Sequence, residues 1–138
     1  WNWRGCLMAK TEIRTDDAPQ PVAAFAQGVR KGNIVQVAGQ VGIDPGNGQV
    51  VGKTVGEQAR QTLRNVAAVL AAGGASFDDV VMMRVYLTDT ADFAELNKVY
   101  GAFITEYVTE PPYPARTTVY VGLPTGLLVE IDALAVLD

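Results

Sequence analysis

The 138 residues predict a single α+β domain, a two-layer sandwich in which a mixed β-sheet carries two helices on one face. The length suits one core, since single domains cluster near ~100–150 residues. At 49% hydrophobic and 19% charged, the chain is too apolar for disorder and ordinary for a soluble globular protein. Two stretches of helical periodicity then alternate with runs of β-branched residues, giving the order β-β-α-β-α-β-β.

Residues 8–22 are polar and carry Pro19 and Pro21, so they predict an irregular arm or a short edge strand. Phe25 to Val29 and Asn33 to Val41 are extended, with Lys31-Gly32-Asn33 as the turn between them. Asp44-Pro45-Gly46-Asn47-Gly48 is a second turn, because Pro fixes φ and Gly accepts the left-handed region. Thr54 followed by Glu57 has the spacing of a capping box. Ala59, Leu63, Val66 and Leu70 form the buried stripe of the first helix, which Gly73-Gly74 ends. Val80 to Leu87 is the next strand. The second helix starts near Asp92, presents Phe93, Leu96, Tyr100, Phe103 and Tyr107 on one face, and stops at Pro111-Pro112. Arg116 to Val121 and Leu127 to Val136 are the last two strands. The final one is apolar on both alternating faces, only one of which can meet the helices; the other predicts contact with another subunit.

The residue inventory excludes several chemistries. Histidine is absent, which removes the Ser-His-Asp triad, the His-ligated zinc site and the histidine general base. Cys6 is the only cysteine, so no intrachain disulfide forms. Ser76 is the only serine and has no histidine to activate it. Eleven basic against 15 acidic residues give a net charge of −4, which argues against a nucleic-acid binder driven by phosphate neutralisation. Gly39-Gln40-Val41-Gly42 and Gly46-Asn47-Gly48 lack the lysine and helix start of a phosphate loop, and residues 44–48 offer too few oxygens for calcium. Val66 to Ala75 is half the length of a membrane span. The expectation is a cytoplasmic protein without cofactor or metal. Residues 1–7, which hold both tryptophans and Cys6, are expected to be an extension upstream of a domain over residues 8–138.

Two charged residues stand out. Arg116 enters its strand straight after Pro114-Ala115 and shares a face with Thr118 and Tyr120 by the period of two. A planar five-donor fork mounted on a strand suits a carboxylate or phosphate, or else an internal ion pair. Glu130 interrupts the apolar run Leu127 to Ile131, where a carboxylate is costly unless it is paired or hydrogen-bonded. It is either a partner for an arginine or a group that holds and deprotonates a water. Asp132, on the same face, is a candidate for the structural acid of the two. Arg84 is a rival cation with no rigid frame, expected at the rim.

These residues sit in segments that together resemble the RidA/YjgF family of enamine/imine deaminases across residues 8–138. The segments are Ala38-Gly39-Gln40-Val41-Gly42, the helix from Glu57 to Asn65, Asp92-Phe93 with Asn97, Pro114-Ala115-Arg116, and Val129-Glu130-Ile131-Asp132-Ala133-Leu134-Ala135. The resemblance implies a chorismate-mutase-like fold, a homotrimer with a ligand cleft at each subunit boundary, and hydrolysis of 2-imino acids from pyridoxal-phosphate-dependent dehydratases to 2-keto acids and ammonia. It implies Arg116 as the clamp on the substrate carboxylate and Glu130 as the residue that positions the attacking water. Phe25, Ala38, Gly39, Asn97 and Thr118 become the substrate-binding positions. No metal or cofactor is implied, because a protonated imine is already electrophilic and needs only orientation and a directed water.

Three positions depart from the pattern. Phe25 stands where characterised deaminases carry tyrosine, Ala38 where they carry serine, and Thr118 where a cysteine is common. Losing two neutral hydroxyl contacts costs ~1–3 kcal/mol together, roughly ten- to a hundredfold in rate. Slower turnover, a preference for more apolar imino acids, or a trimer that binds small carboxylates without turning them over are the resulting expectations. RNA cleavage, attributed to some relatives, is the weaker alternative.

Overall fold

A computed structural model describes residues 9–138; the segment holding Cys6 and the tryptophans lies outside the described residues. Six strands form one sheet: β1 (Thr11–Ile13), β2 (Gly28–Lys31), β3 (Ile34–Val41), β4 (Val80–Leu87), β5 (Ala115–Tyr120) and β6 (Val129–Val136). Their spatial order is β1-β2-β3-β6-β4-β5, with β4 and β5 parallel and every other pair antiparallel. Helices α1 (Val55–Ala72) and α2 (Phe93–Tyr107) cover the same face, and that is the predicted architecture.

The sandwich core follows from period. Val129, Ile131, Ala133 and Ala135 of β6 meet Met83, Val85 and Leu87 of β4 beneath Leu63, Val66 and Leu70 of α1 and Leu96 of α2. The helix starts at Thr54, whose Oγ1 accepts from the Glu57 amide at 3.2 Å, but the Glu57 carboxylate folds over Gly52 rather than completing the box. On α2, Leu96, Tyr100, Phe103 and Ile104 are buried, while Phe93 and Tyr107 at its two ends stay partly exposed. The predicted strand from Phe25 begins only at Gly28. Residues 23–25 turn back on themselves through Phe25 N–H to Ala23 O (2.8 Å), which leaves Phe25 in a loop. The arm before it does form the short edge strand β1.

Buried amides tie the loops to this frame. Gln58 donates to Gly52 O and Gly126 O and accepts from Leu128 N–H, so one α1 side chain holds two loops distant in sequence. Asn65 donates to Val41 O and Ile43 O. Gln27 donates to Thr15, Ala18 and Pro19 carbonyls and accepts from Thr15 N–H, which fixes the arm.

The other face of the sheet carries no layer among the described residues. Its apolar members include Ile34, Val119 and Val136, each 38–49% exposed, beside the polar Gln36, Arg84 and Glu130. Among the described residues no helix is long and apolar enough to cross a membrane.

Candidate functional site

Arg116 lies on the helix-covered face of edge strand β5, because it pairs with the core residue Met83. Its Nε donates to Thr118 Oγ1 (2.9 Å), two residues along the same face, and its Nη2 donates to Asn97 Oδ1 (2.6 Å) on α2. The guanidinium carbon sits 4.6 Å from the Tyr100 ring centroid and 5.8 Å from that of Phe93. Cation–π attraction and two neutral acceptors therefore fix the fork without neutralising it. Among the described residues no carboxylate is ion-paired with it, so the internal salt bridge is not what this arginine makes. With two of five N–H groups placed, the remaining donors are left for an anion.

Phe93, Asn97 and Tyr100 follow at i, i+4 and i+7 on α2, the spacing of one helix face, which is why one helix supplies all three contacts. The aromatic pair was legible only as core stripe. Burial raises the Tyr100 hydroxyl above its ordinary pKa, opposed by the charge of Arg116, and its oxygen is the one buried side-chain polar atom without a partner among the described residues. The approach to β5 is pinned by Asp78, whose carboxylate accepts from Thr109 N–H (2.7 Å), Thr109 Oγ1 and Glu110 N–H. Those bonds, the Thr109 hydroxyl foremost, hold Asp78 below the usual carboxylate range. Ser76 is structural: its side chain accepts from Asp78 N–H as a cap.

Glu130 is on the opposite face. It pairs with Tyr86 and Val41, both outward, and is half-buried. Burial, and then the charge of Asp132, raises its carboxyl above the ordinary range, so it holds a proton more readily than an exposed glutamate. Asp132 itself accepts from Arg84 Nε (2.8 Å) and the Tyr86 hydroxyl (3.0 Å). Asp132 is thus the paired acid of the two, and its partner Arg84 stands not at the rim but in the middle of β4, on the open face of the sheet, framed by β6 and β5.

A β-bulge between Val37 and Gln40 shapes the wall beside Glu130. Gln36 Nε2 spans it, donating to Val37 O and Ala133 O. Inside the bulge, Ala38 N–H donates to Gln27 O, and Gly39 lies directly over the glutamate. A Cβ at Gly39 would stand 2.8 Å from Glu130 Cδ and 3.0 Å from Oε1, which is the close approach that glycine permits. Gly39 and Val41 also line a cavity of about 130 Å³ together with Phe25, Pro21, Val22 and Ile43. A larger cleft of about 540 Å³ beside Val50–Lys53 and Gly126 contains neither arginine nor carboxylate.

The predicted site residues therefore fall into two groups. Asn97, Arg116 and Thr118 meet on one face; Phe25, Ala38, Gly39 and Glu130 gather at the other. Arg116 is level with Ala133 and Glu130 with Val119, three residues and two strand spacings apart. At ~3.3 Å per residue and ~4.8 Å per strand their backbones are about 14 Å apart, with side chains pointing to opposite sides of the sheet. No small acid bridges them within one chain. Among the described residues no three His, Cys, Asp or Glu side chains converge as a metal site requires.

Residues 15–137 match the family model described as endoribonuclease L-PSP. A RutC family protein of Pyrococcus abyssi is 43% identical over 129 residues, covering 93% of this chain and 98% of that protein. A 2-iminobutanoate/2-iminopropanoate deaminase of Salmonella typhimurium is 42% identical over 130 residues, covering 94% and 98%. The crystal structure of E. coli TdcF with bound serine superposes with a TM-score of 0.87 at 38% identity, covering 93% of this chain and 99% of that one. With this coverage in sequence and in fold, the chain belongs to the YjgF/RidA family.

Proposed function

We propose that this protein hydrolyses 2-imino acids to 2-keto acids and ammonia in sites built between copies of the chain, in a homotrimer. The observation that carries the reading is the un-neutralised Arg116 fork, fixed by Asn97, Thr118 and Tyr100 yet free of any carboxylate. Deaminase names among relatives at about 42% identity support the reaction class, and serine bound to TdcF supports a small amino or imino acid as the ligand class.

The two half-sites divide the chemistry. Arg116 of one copy grips the substrate carboxylate by a charge-assisted fork. Glu130 of another copy accepts a proton from a water as its oxygen bonds to the imine carbon and the C=N π electrons move to nitrogen. The tetrahedral carbinolamine then takes that proton back on nitrogen. The C–N bond breaks, the carbonyl forms, and the hydroxyl proton leaves with ammonia as ammonium. A raised Glu130 pKa suits both halves, since the same group must take and return a proton. Gly39 keeps the space above that carboxyl open.

The reading is tested by ammonia and keto-acid release from imines generated in situ by a dehydratase. Acceleration over buffer that disappears in Arg116→Ala supports it; no acceleration with any amino-acid precursor refutes it. Phe25 and Ala38 favour a second reading, a trimer that binds carboxylates without turnover, which calorimetric 2-keto acid binding in an inactive protein would select. Phe25→Tyr with Ala38→Ser is expected to raise the rate if hydroxyls are what the site lacks. The net charge of −4 counts against RNA as the substrate.

A further inference from the structure

We propose that the cavity beside Glu130 is a side-chain subsite that selects aliphatic 2-imino acids of branched, leucine-like size over the smallest ones. This inference rests on the deaminase reading of the site. Two residues connect the cavity to the glutamate: Gly39, whose α-carbon lies against the Glu130 carboxyl, and Val41, directly across the ladder from Glu130. Residues so paired have Cβ atoms about 5 Å apart. A substrate whose imine carbon sits over Glu130 therefore places its β-carbon at the cavity mouth.

The lining is hydrocarbon in effect. Pro19, Pro21, Val22, Phe25, Val41 and Ile43 supply apolar walls. Three glutamines complete the lining and each donates its amide to backbone: Gln27 to Thr15, Ala18 and Pro19, Gln20 to Thr15 O, and Gln40 to Ala38 O. Phe25 offers no hydroxyl and most of the lining is apolar, so a branched alkyl group that displaces water from that wall gains more there than a hydroxymethyl or other polar side chain. The volume of about 130 Å³ is close to the ~150 Å³ in which an apolar protein cavity holds one benzene molecule. Isobutyl fits; a methyl group leaves most of the space to water.

Calorimetry with 4-methyl-2-oxopentanoate and pyruvate reads this out directly. Each well-buried methylene is worth roughly fourfold in affinity. Three extra carbons, partly covered, are expected to give at least about tenfold tighter binding of the branched acid. The same ratio is expected in kcat/KM for imines released from leucine and alanine by an L-amino acid oxidase. Phe25→Ser and Val22→Asp replace side chains 54% and 95% exposed, so the fold tolerates both; loss of the Phe25 wall should bring the ratio close to one, and a carboxylate at position 22, at the cavity mouth, should lower it. Equal binding and turnover of the two acids by the unaltered protein overturns the subsite while leaving the deaminase reading intact. Discrimination that survives both substitutions also overturns it. Absence of any keto-acid binding and any turnover overturns the deaminase reading itself.

Discussion

Gly39→Ala separates the positioning of Glu130 from its presence. The new Cβ would lie 2.8 Å from Cδ, 3.0 Å from Oε1 and 3.1 Å from Cγ of that side chain, where ordinary contact begins at 3.4 Å. Gly39 does not have a positive φ, so alanine adds no backbone strain. The clash falls on a flexible side chain, and the carboxyl must retreat by about 0.6 Å, the difference between 2.8 and 3.4 Å. Misplacing a reacting group by ~1 Å costs about a hundredfold. A retreat of this size is expected to lower kcat by about ten- to a hundredfold, or ~1.4–2.7 kcal/mol of transition-state stabilisation. Keto-acid affinity should fall less than kcat, because the anchors of the carboxylate-gripping Arg116, which are Asn97, Thr118 and Tyr100, are untouched by the substitution. Steady-state kinetics paired with calorimetry on the same preparation gives both numbers. Unaltered kcat in a folded Gly39→Ala protein would refute the argument that this glycine keeps the carboxyl in place.

Arg116→Lys keeps a positive charge but loses the planar fork and both neutral anchors; keto-acid affinity measured by calorimetry should fall by at least about tenfold. Glu130→Gln should abolish turnover yet raise the thermal midpoint at neutral pH. The Glu130 pKa is raised in the fold, so the native state binds its proton more tightly than the unfolded one, and stability falls as pH climbs through that window; glutamine removes this cost. By the same shift, the acidic limb of the kcat profile should lie above the usual carboxylate range. Gln58→Ala removes the three hydrogen bonds of a buried amide, to Gly52, Gly126 and Leu128, and should cost ~2–4 kcal/mol in urea unfolding.

Local pattern made much of the molecule legible. Period two placed Arg116 and Thr118 on one face, and helical spacing placed Leu63, Val66 and Leu70 in the core, because these relations depend only on neighbours along the chain. The opposition of Arg116 and Glu130 was not legible. Their relative faces depend on the register of β5 on β4 and of β4 on β6, a relation between distant segments. Phe25 left its predicted strand for a similar reason: the Gln27 amide is drawn into the arm, and the carbonyls that draw it belong to residues 15–19. Gln58 and Asn65 look like surface residues until the loop carbonyls they satisfy are known. Tyr100 was seen as core, and it is core; that its ring also carries the guanidinium follows from α2 lying over β5.

The most direct test mixes two inactive variants. Arg116→Ala chains retain Glu130, and Glu130→Gln chains retain Arg116. Where each site draws one group from each of two copies, subunit exchange at equal amounts is expected to regenerate about a quarter of the sites and about a quarter of the unaltered protein's deaminase rate. A mixture that has demonstrably exchanged subunits and stays as inactive as its components would contradict the shared site.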